Sequence, residues 1–342
     1  MAGRYEPIDS PDETTLFPYH DLTPPTVATV ARARRRVRQH LPETPLVRSE
    51  ALSDALDADV LLKREDTLPT GAFKVRGGVN LVSSLDEEFR DAGLLAASTG
   101  NHGQSIAWAG REFDVPVTIG VPEEANAGKV DALEQLGAEV ILHGEDYDEA
   151  REHIEDLATQ REARYVHSGN EPELLAGVGT AGLEILDERP DVDRVFCPVG
   201  GGTGAAGYCI TLGAMTDAAV VGVQAAGAPA VYRAWHEETL DALDSVDTIA
   251  EGVATRVPFA LPTGILQDGL ADFRLVSEDA IADAVARLFE TDRIVMEGAC
   301  ATAVAAAIQA GDELRGETVV LPVSGRNIDR EKFARLLAER EY

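Results

Sequence analysis

Lysine is scarce in this chain of 342 residues, in which Lys63, Lys74, Lys129 and Lys332 are the only lysines among 30 basic residues. With 60 acidic residues the formal net charge is −30. That charge excludes nucleic acid and anionic membranes as expected partners, because both would be repelled. An acid-rich, lysine-poor surface is typical of halophilic proteins, in which carboxylates hold water and dissolved salt screens their repulsion. We therefore predict a halophilic protein.

Long apolar runs and paired cysteines are also missing. No segment approaches the roughly 18 consecutive apolar residues of a membrane-spanning helix. The polar start MAGRYEPIDSPDETT lacks the apolar core of a signal peptide. Cys197, Cys209 and Cys300 stand alone, so neither a disulfide framework nor a zinc site is indicated, and packing is their expected role. We predict a cytoplasmic protein.

Short apolar runs alternate with segments of helical period along most of the chain. Predicted strands cover 59–63, 94–98, 115–120, 138–142, 164–167, 194–199 and 219–224, and predicted helices cover 74–85, 102–112, 126–136, 146–162, 172–189 and 204–214. Strict alternation predicts an α/β fold with parallel sheets covered by helices on both faces. The length favours two lobes with a cleft between them. Residues 1–25 read as an arm, and an arginine-rich helix, expected to pair with the acidic surface, begins near Thr26.

A glycine-rich turn follows the predicted strand from Val195 to Val199. Its residues are Gly200, Gly201, Gly202, Thr203 and Gly204. Glycines at the start of a helix let backbone amides surround an anion, so the turn predicts a phosphate site. Gly202, Gly204 and Gly207 also match the GxGxxG fingerprint of nicotinamide-dependent oxidoreductases. That class expects an acidic residue about 20 positions later, where Gln224 stands.

A second turn joins a predicted strand to a helix through hydroxyl and amide side chains. It contains Ser98, Thr99, Gly100, Asn101 and His102. Such groups suit a carboxylate ligand, and an ordinary helix cap is the alternative interpretation.

Lys74 lies at the start of a predicted helix, next to Phe73 and among small residues. The helix dipole and burial would both lower its pKa, and a neutral amine can form a Schiff base. The alternative is a surface lysine.

Near the C-terminus, Ser324 ends another predicted strand, where its hydroxyl could meet a ligand ring nitrogen or cap the helix that starts around Asp329.

Taken together and in this order, these segments resemble the fold-type II pyridoxal-phosphate enzymes, specifically the threonine/serine ammonia-lyase and serine racemase family. The resemblance begins with TPLVRS at Thr44 and includes KREDTLPTGAFKVRGG, STGNHGQS, KVDALEQLG, PVGGGTG, AEGVATRVP, MEGACATA and SGRNID. It implies pyridoxal 5'-phosphate as cofactor and the two-lobed fold of the tryptophan synthase beta class. Residues 1–92 and 171–342 would form the large cofactor lobe, residues 93–170 would form the small substrate lobe, and two copies would form a homodimer.

The resemblance also implies roles for individual residues. Lys74 would hold the cofactor covalently and act as the catalytic base, with Phe73 packed beside the ring. The glycine turn at 200–204 would hold the phosphate, and the turn at 98–102 would hold the substrate carboxylate. The cofactor ring would be met by Asn101 at its hydroxyl, by Ser324 at its nitrogen, and by Gly252 and Glu297 along its edge.

The implied reaction is ammonia-lyase chemistry on L-threonine, L-serine or a related β-hydroxy amino acid. Racemisation or β-replacement is the alternative within the family, and a nicotinamide oxidoreductase or a non-catalytic ligand-binding protein lies outside it. Several positions depart from the family pattern, among them Thr203 and Gly204, which read TG where the family usually has GL. Arg326 stands where glycine is usual, Thr99 stands where racemases carry serine, and Gln224 replaces the first ligand of a divalent-cation site, so no metal is predicted.

Overall fold

A computed structural model describes residues 22–338 of the chain, so the first 21 residues of the predicted arm lie outside the described part. Two sheets with mainly parallel strands organise it. The strands are β1 Leu46–Arg48, β2 Asp59–Lys63, β3 Leu94–Ala97, β4 Val117–Val121, β5 Glu139–Leu142, β6 Arg164–Tyr165, β7 Arg194–Pro198, β8 Ala219–Ala225, β9 Asp272–Val276 and β10 Thr318–Pro322.

Helices separate most of these strands, as the alternation predicts. They are α1 Val27–Val37, α2 Glu50–Leu56, α3 Val75–Ser83, α4 Glu87–Ala92, α5 Asn101–Glu112, α6 Ala127–Gln135, α7 Tyr147–Gln160, α8 Pro172–Val178, α9 Thr180–Glu188, α10 Thr203–Tyr208, α11 Ala230–Glu237, α12 Ala260–Gly269, α13 Glu278–Asp292, α14 Gly298–Ala310 and α15 Arg330–Ala338. The predicted α/β fold is confirmed.

The larger sheet has six strands in the order β1-β2-β10-β7-β8-β9. Five of them run parallel, with Val320 aligned to Leu61 on one side and to Val195 on the other. The edge strand β1 pairs antiparallel with β2, which the expectation of purely parallel sheets did not include. The strands β1 and β2 are adjacent in the sheet, and the short helix α2 connects them. Antiparallel neighbours need no crossover connection, so this short link is sufficient.

Both faces of the larger sheet are buried, because successive side chains of a strand point to opposite faces. In β10, Val319 and Leu321 pack into the core formed with α13 and α14, whereas Val320 packs into the core formed with α8, α9, α10 and α12. All three cysteines are buried and free in these two cores, as their packing role requires.

The smaller sheet has four parallel strands in the order β5-β4-β3-β6. Leu94 and Ile119 pack with α3 and α5 on one face, and Leu95 packs with α7 on the other. Since strands β3 to β6 all lie between residues 94 and 165, a contiguous part of the chain forms this sheet. Within residues 22–338, no helix has both the length and the apolar character needed to cross a bilayer.

Two predicted helices have different boundaries in the structure. The helix expected over 172–189 is divided into α8 and α9 at Gly179. Glycines permit close packing there, since a Cβ at Gly177 would lie 2.5 Å from the carbonyl oxygen of Arg76. The helix expected over 204–214 is α10 followed by a π-helical turn at Cys209–Gly213. The helix predicted near Thr26 is confirmed, and its Arg34 pairs with Glu43 on the acidic surface.

Candidate active site

A cavity of about 1380 Å³ opens where the carboxyl ends of strands from both sheets meet. Every residue that the sequence singles out as a site candidate lines it or touches a residue that does. The lining set comprises Phe73, Lys74, Ser98, Thr99, Gly100, Asn101, His102, Gly200, Gly201, Gly202, Thr203, Gly204, Gly252, Glu297 and Ser324. Residues more than 200 positions apart in sequence therefore share one chamber, as parallel sheets in an α/β fold allow.

Lys74 occupies the position that precedes α3, as expected from the sequence. The backbone N–H of Phe73 donates to the carbonyl of Ser324 at 3.0 Å, which ties this turn to the end of β10. The amine reaches the cavity 6.0 Å from the centre of the Phe73 ring. Burial lowers the pKa of Lys74 from 10.5 to about 8, and the nearby Glu297 carboxylate opposes that shift. The site thus holds a lysine that is partly neutral near neutral pH.

The glycine turn follows β7 and packs closely against two other segments. A Cβ at Gly200 would lie 2.6 Å from the carbonyl oxygen of Gly252, and one at Gly201 would lie 2.4 Å from the Phe259 ring. Gly202 has a φ of 87°, which disfavours any other residue. The turn therefore requires glycine for packing and for conformation, and it exposes backbone rather than side chains to the cavity.

The turn at 98–102 follows β3 and enters α5. The Ser98 hydroxyl accepts a hydrogen bond from the Gly100 N–H at 3.1 Å, and the position of a Cβ at Gly100 has no atom within 4 Å. The His102 ring points away from this turn, because its Nε2 meets the carbonyl of Val166 at 3.0 Å. His102 can therefore offer its backbone N–H, but not its ring, to a ligand bound at this turn.

Asn101 links the two halves of the cavity. Its amide donates to both carboxylate oxygens of Glu297, at 2.9 and 3.2 Å, and its carbonyl oxygen accepts from Asn327 at 2.7 Å. Burial raises the pKa of Glu297 to about 7, while the hydrogen bond from Asn101 opposes the shift. Gly252 lies beside this carboxylate, since a Cβ there would be 3.3 Å from Glu297.

Ser324 lies two residues beyond the end of β10 and is buried at the cavity wall. The alternative role of helix cap is wrong, because α15 begins at Arg330, six residues later. The carbonyl of Ser324 accepts the N–H of Phe73, and Ser324 lines the same cavity as Lys74. A free neutral hydroxyl at this place is suited to a ring nitrogen.

A buried ion cluster supports the turn that carries Lys74, and the sequence reasoning missed it. Arg76 bonds Glu65 at 2.6 Å and Glu184 at 2.7 Å, and Lys63 bonds Glu184 at 2.7 Å, with all four side chains at most 3% exposed. The two positive ions hold the pKa of Glu184 down at about 2 against the cost of burial. The motif KREDTLPTGAFKVRGG contains three of the four residues, but the partner Glu184 lies in α9.

His167, which follows β6, is a second residue that the sequence reasoning missed. It is 5% exposed and lines the cavity. The sequence offered no signal for it beyond its place at the end of the strand predicted over 164–167. Arg326, in contrast, is exposed at the rim, with its Cγ 3.2 Å from the Cβ position of Gly71.

Gln224 is fully buried at the end of β8, where its Oε1 accepts the N–H of Tyr232 at 3.0 Å. Within the described part of the chain, no three His, Cys, Asp or Glu side chains lie close enough together to hold a metal ion. The absence of a metal requirement stays a prediction.

The fold and the cavity define a class of enzyme whose members hold a cofactor between two α/β lobes. The family model described as pyridoxal-phosphate dependent enzyme matches residues 37–325. The L-threonine ammonia-lyase of Thermotoga maritima is 35% identical over 313 residues, which cover 91% of this chain and 78% of that protein. This chain belongs to the pyridoxal-phosphate dependent enzymes, and its cofactor is pyridoxal phosphate.

Solved structures agree with that assignment. The processed form of threonine deaminase isoform 2 from Solanum lycopersicum matches with a TM-score of 0.86 and 31% identity, over 92% of this chain and 89% of that one. Serine racemase from Dictyostelium discoideum matches with a TM-score of 0.83 and 29% identity, over 89% of this chain and 99% of that one. The predicted membership of fold type II is confirmed.

The residues present fit the cofactor. Lys74 and Lys129 both line this chamber, but the Lys129 amine is engaged with Glu251 at 2.7 Å, whereas the buried Lys74 amine has a lowered pKa. A Cβ at Gly200 or Gly201 would collide with Gly252 or Phe259, so the turn carries bare backbone at both positions, which suits a phosphate held by N–H groups. The neutral hydroxyl of Ser324 is available to the ring.

Proposed function

We propose that this protein is an ammonia-lyase, a dehydratase that converts L-threonine, L-serine or a related β-hydroxy amino acid to a 2-oxo acid and ammonia. The observation that carries the proposal is the meeting of a Lys74 amine of lowered pKa, a carboxylate-binding turn and a glycine turn in one cavity. The relatives named threonine ammonia-lyase and threonine deaminase support the same reaction.

Binding and orientation come from backbone and neutral side chains. The turn at 98–102 would hold the substrate carboxylate. Its donors would be the hydroxyl groups of Ser98 and Thr99 and the backbone N–H groups of the turn. The N–H groups of the glycine turn at 200–204 would hold the phosphate of the cofactor. Two anionic groups fixed at opposite ends of the cavity would orient the substrate Cα–H bond toward Lys74.

Proton transfer would belong to Lys74. When bound, pyridoxal phosphate supplies an electron-poor ring that accepts the electron pair of the broken Cα–H bond. The Lys74 amine would take the Cα proton, and its lowered pKa suits a base that works near neutrality. The Lys74 ammonium would return that proton to the β-hydroxyl as the Cβ–O bond breaks, so that water leaves, and the enamine product would hydrolyse to the 2-oxo acid and ammonia.

Ser324 would favour elimination over reactions that need a longer-lived carbanion at Cα. A serine hydroxyl is a neutral partner for the ring nitrogen, so it does not hold a full positive charge there as an aspartate would. Negative charge at Cα would then be less stabilised, and rapid loss of the β-hydroxyl is expected. Phe73 would pack beside the ring, with Gly252 and Glu297 along its edge.

The remaining expectations concern the whole molecule. We propose that residues 1–92 and 171–342 act as the large lobe and residues 93–170 as the small lobe that closes over substrate. The separate sheet formed by β3 to β6 supports this division. We also propose that the protein is a cytoplasmic, halophilic homodimer, and the net charge of −30 supports the salt requirement.

Release of 2-oxo acid by purified holoenzyme in high salt tests the proposal, with L-threonine, L-serine, 3-hydroxyaspartate and phenylserine as substrates. We expect equimolar 2-oxo acid and ammonia from L-threonine or L-serine. Lys74→Ala should abolish release, while Lys332→Ala, which removes a surface lysine, should not. Full turnover by Lys74→Ala would refute the assigned base.

Racemisation is the second candidate, supported by the structural match to a serine racemase. Chiral analysis of the recovered amino acid separates the two reactions. If D-amino acid accumulates without any 2-oxo acid, the ammonia-lyase proposal fails.

A further inference from the structure

His167 has one ring nitrogen engaged by backbone and the other directed to the cavity. Its Nδ1 accepts hydrogen bonds from the N–H groups of Gly169 at 3.0 Å and Asn170 at 2.9 Å. Backbone amides can only donate, so Nδ1 carries no proton and Nε2 must carry one. The local turn therefore fixes the tautomer that presents an N–H donor.

This donor is neutral and has no acceptor of its own. Burial, together with the positive charges of Arg151 and Lys74, lowers the pKa of His167 to about 3. Within residues 22–338, no protein acceptor lies at hydrogen-bond distance from its Nε2. His102 differs in this respect, because its Nε2 already meets the carbonyl of Val166.

Phe259 connects His167 to the glycine turn. The two rings meet edge to face with centroids 4.7 Å apart. The same Phe259 ring lies 2.4 Å from the Cβ position of Gly201 and 2.3 Å from that of Gly169. His167 and the glycine turn therefore flank one aromatic side chain at the same end of the cavity.

We infer that the Nε2–H of His167 donates a hydrogen bond to an oxygen of the cofactor phosphate, which adds a side-chain donor to the backbone donors of the glycine turn. A phosphate is a strong charged acceptor, and an N–H that lines the cavity without a protein acceptor is free to donate to it. The inference rests on the cofactor of the family and is independent of the reaction proposed above.

Two isosteric variants separate this role from a structural one. In His167→Asn the side-chain oxygen can replace Nδ1 as the acceptor for Gly169 and Asn170, but nothing replaces the Nε2–H. In His167→Gln the amide nitrogen can replace Nε2, but the acceptor of the turn is lost. The two variants therefore remove opposite halves of the imidazole.

For each apoprotein we would measure two dissociation constants by visible absorbance, one for pyridoxal phosphate and one for pyridoxal. Their ratio gives the preference for the phosphorylated form. The melting temperature of each variant is measured as well. For His167→Asn we expect pyridoxal phosphate to bind about ten- to a hundredfold more weakly while pyridoxal binding is unchanged, as for loss of a hydrogen bond to a charged group. For His167→Gln we expect the preference for the phosphorylated form to persist and the melting temperature to fall. His102→Gln serves as the matched control and should leave the preference unchanged.

An unchanged preference in His167→Asn would overturn the inference, and so would an equal loss of both ligands. A normal preference combined with reduced kcat/KM for the amino acid would also overturn it, because Nε2 would then meet a substrate oxygen. If the Asn variant does not fold, collapse of the preference in His167→Gln would overturn the inference and its retention would support it. Failure to release 2-oxo acid leaves these binding results intact, so the two proposals fail separately.

Discussion

Capture of pyridoxal phosphate by the apoprotein should depend on pH with a midpoint near 8, because only the neutral amine of Lys74 attacks the cofactor aldehyde. Burial lowers the pKa of Lys74 from 10.5 to about 8. At pH 7 an amine with a pKa of 8 is neutral in about 9% of molecules, whereas the ordinary value leaves about 0.03% neutral. The folded site thus raises the reactive fraction roughly 300-fold.

The expected profile rises about tenfold per pH unit below the midpoint and becomes level above it. Stopped-flow absorbance after mixing apoprotein with pyridoxal phosphate measures the rate. A parallel reaction with a free lysine derivative corrects for ionisation of the cofactor itself.

Glu297→Gln sharpens the test. The Glu297 carboxylate attracts the charged amine and so opposes the lowering of its pKa. Removing that charge should move the midpoint to lower pH. A wild-type midpoint near 10, or a shift to higher pH in Glu297→Gln, would refute the reasoning that burial controls this lysine.

Two further predictions concern stability. Arg76→Met leaves the buried Glu65 and Glu184 carboxylates short of a partner, so the free energy of unfolding should fall by about 3–5 kcal/mol in urea denaturation. Arg34→Met, at a surface ion pair, should cost less than about 1 kcal/mol, and equal losses in the two variants would contradict the role of burial. The melting temperature should rise with added KCl, because salt screens the repulsion within a chain of net charge −30. A melting temperature independent of salt would count against the halophilic assignment.

Local sequence patterns predicted the main elements of the fold. The strand predicted over 59–63 has the bounds of β2, and the helix predicted near Thr26 begins at Val27. Buried parallel strands form short apolar runs, and glycine-rich turns mark their ends, so both signals lie within a few neighbouring residues. The same patterns did not show β1, whose three residues are too few for a period.

Side-chain partners were beyond reach of the sequence alone. His102 and His167 both follow strands of the smaller sheet, yet the backbone engages Nε2 of His102, at Val166, and Nδ1 of His167, at Gly169 and Asn170. Neither orientation has a local signal, because each depends on which backbone groups lie next to the ring after packing.

The sequence by itself determined the alternation of strands and helices, the glycine turn and the place of Lys74 before a helix, because each is encoded by the chemistry of adjacent residues. Only the tertiary structure decided that Arg76 and Lys63 are buried with Glu184, and that Asn101 bonds Glu297 across the cavity. Those pairs are separated by more than 100 positions in the chain. The pKa values of Glu184 and Glu297 shift only because packing removes water from around them and brings their partners close.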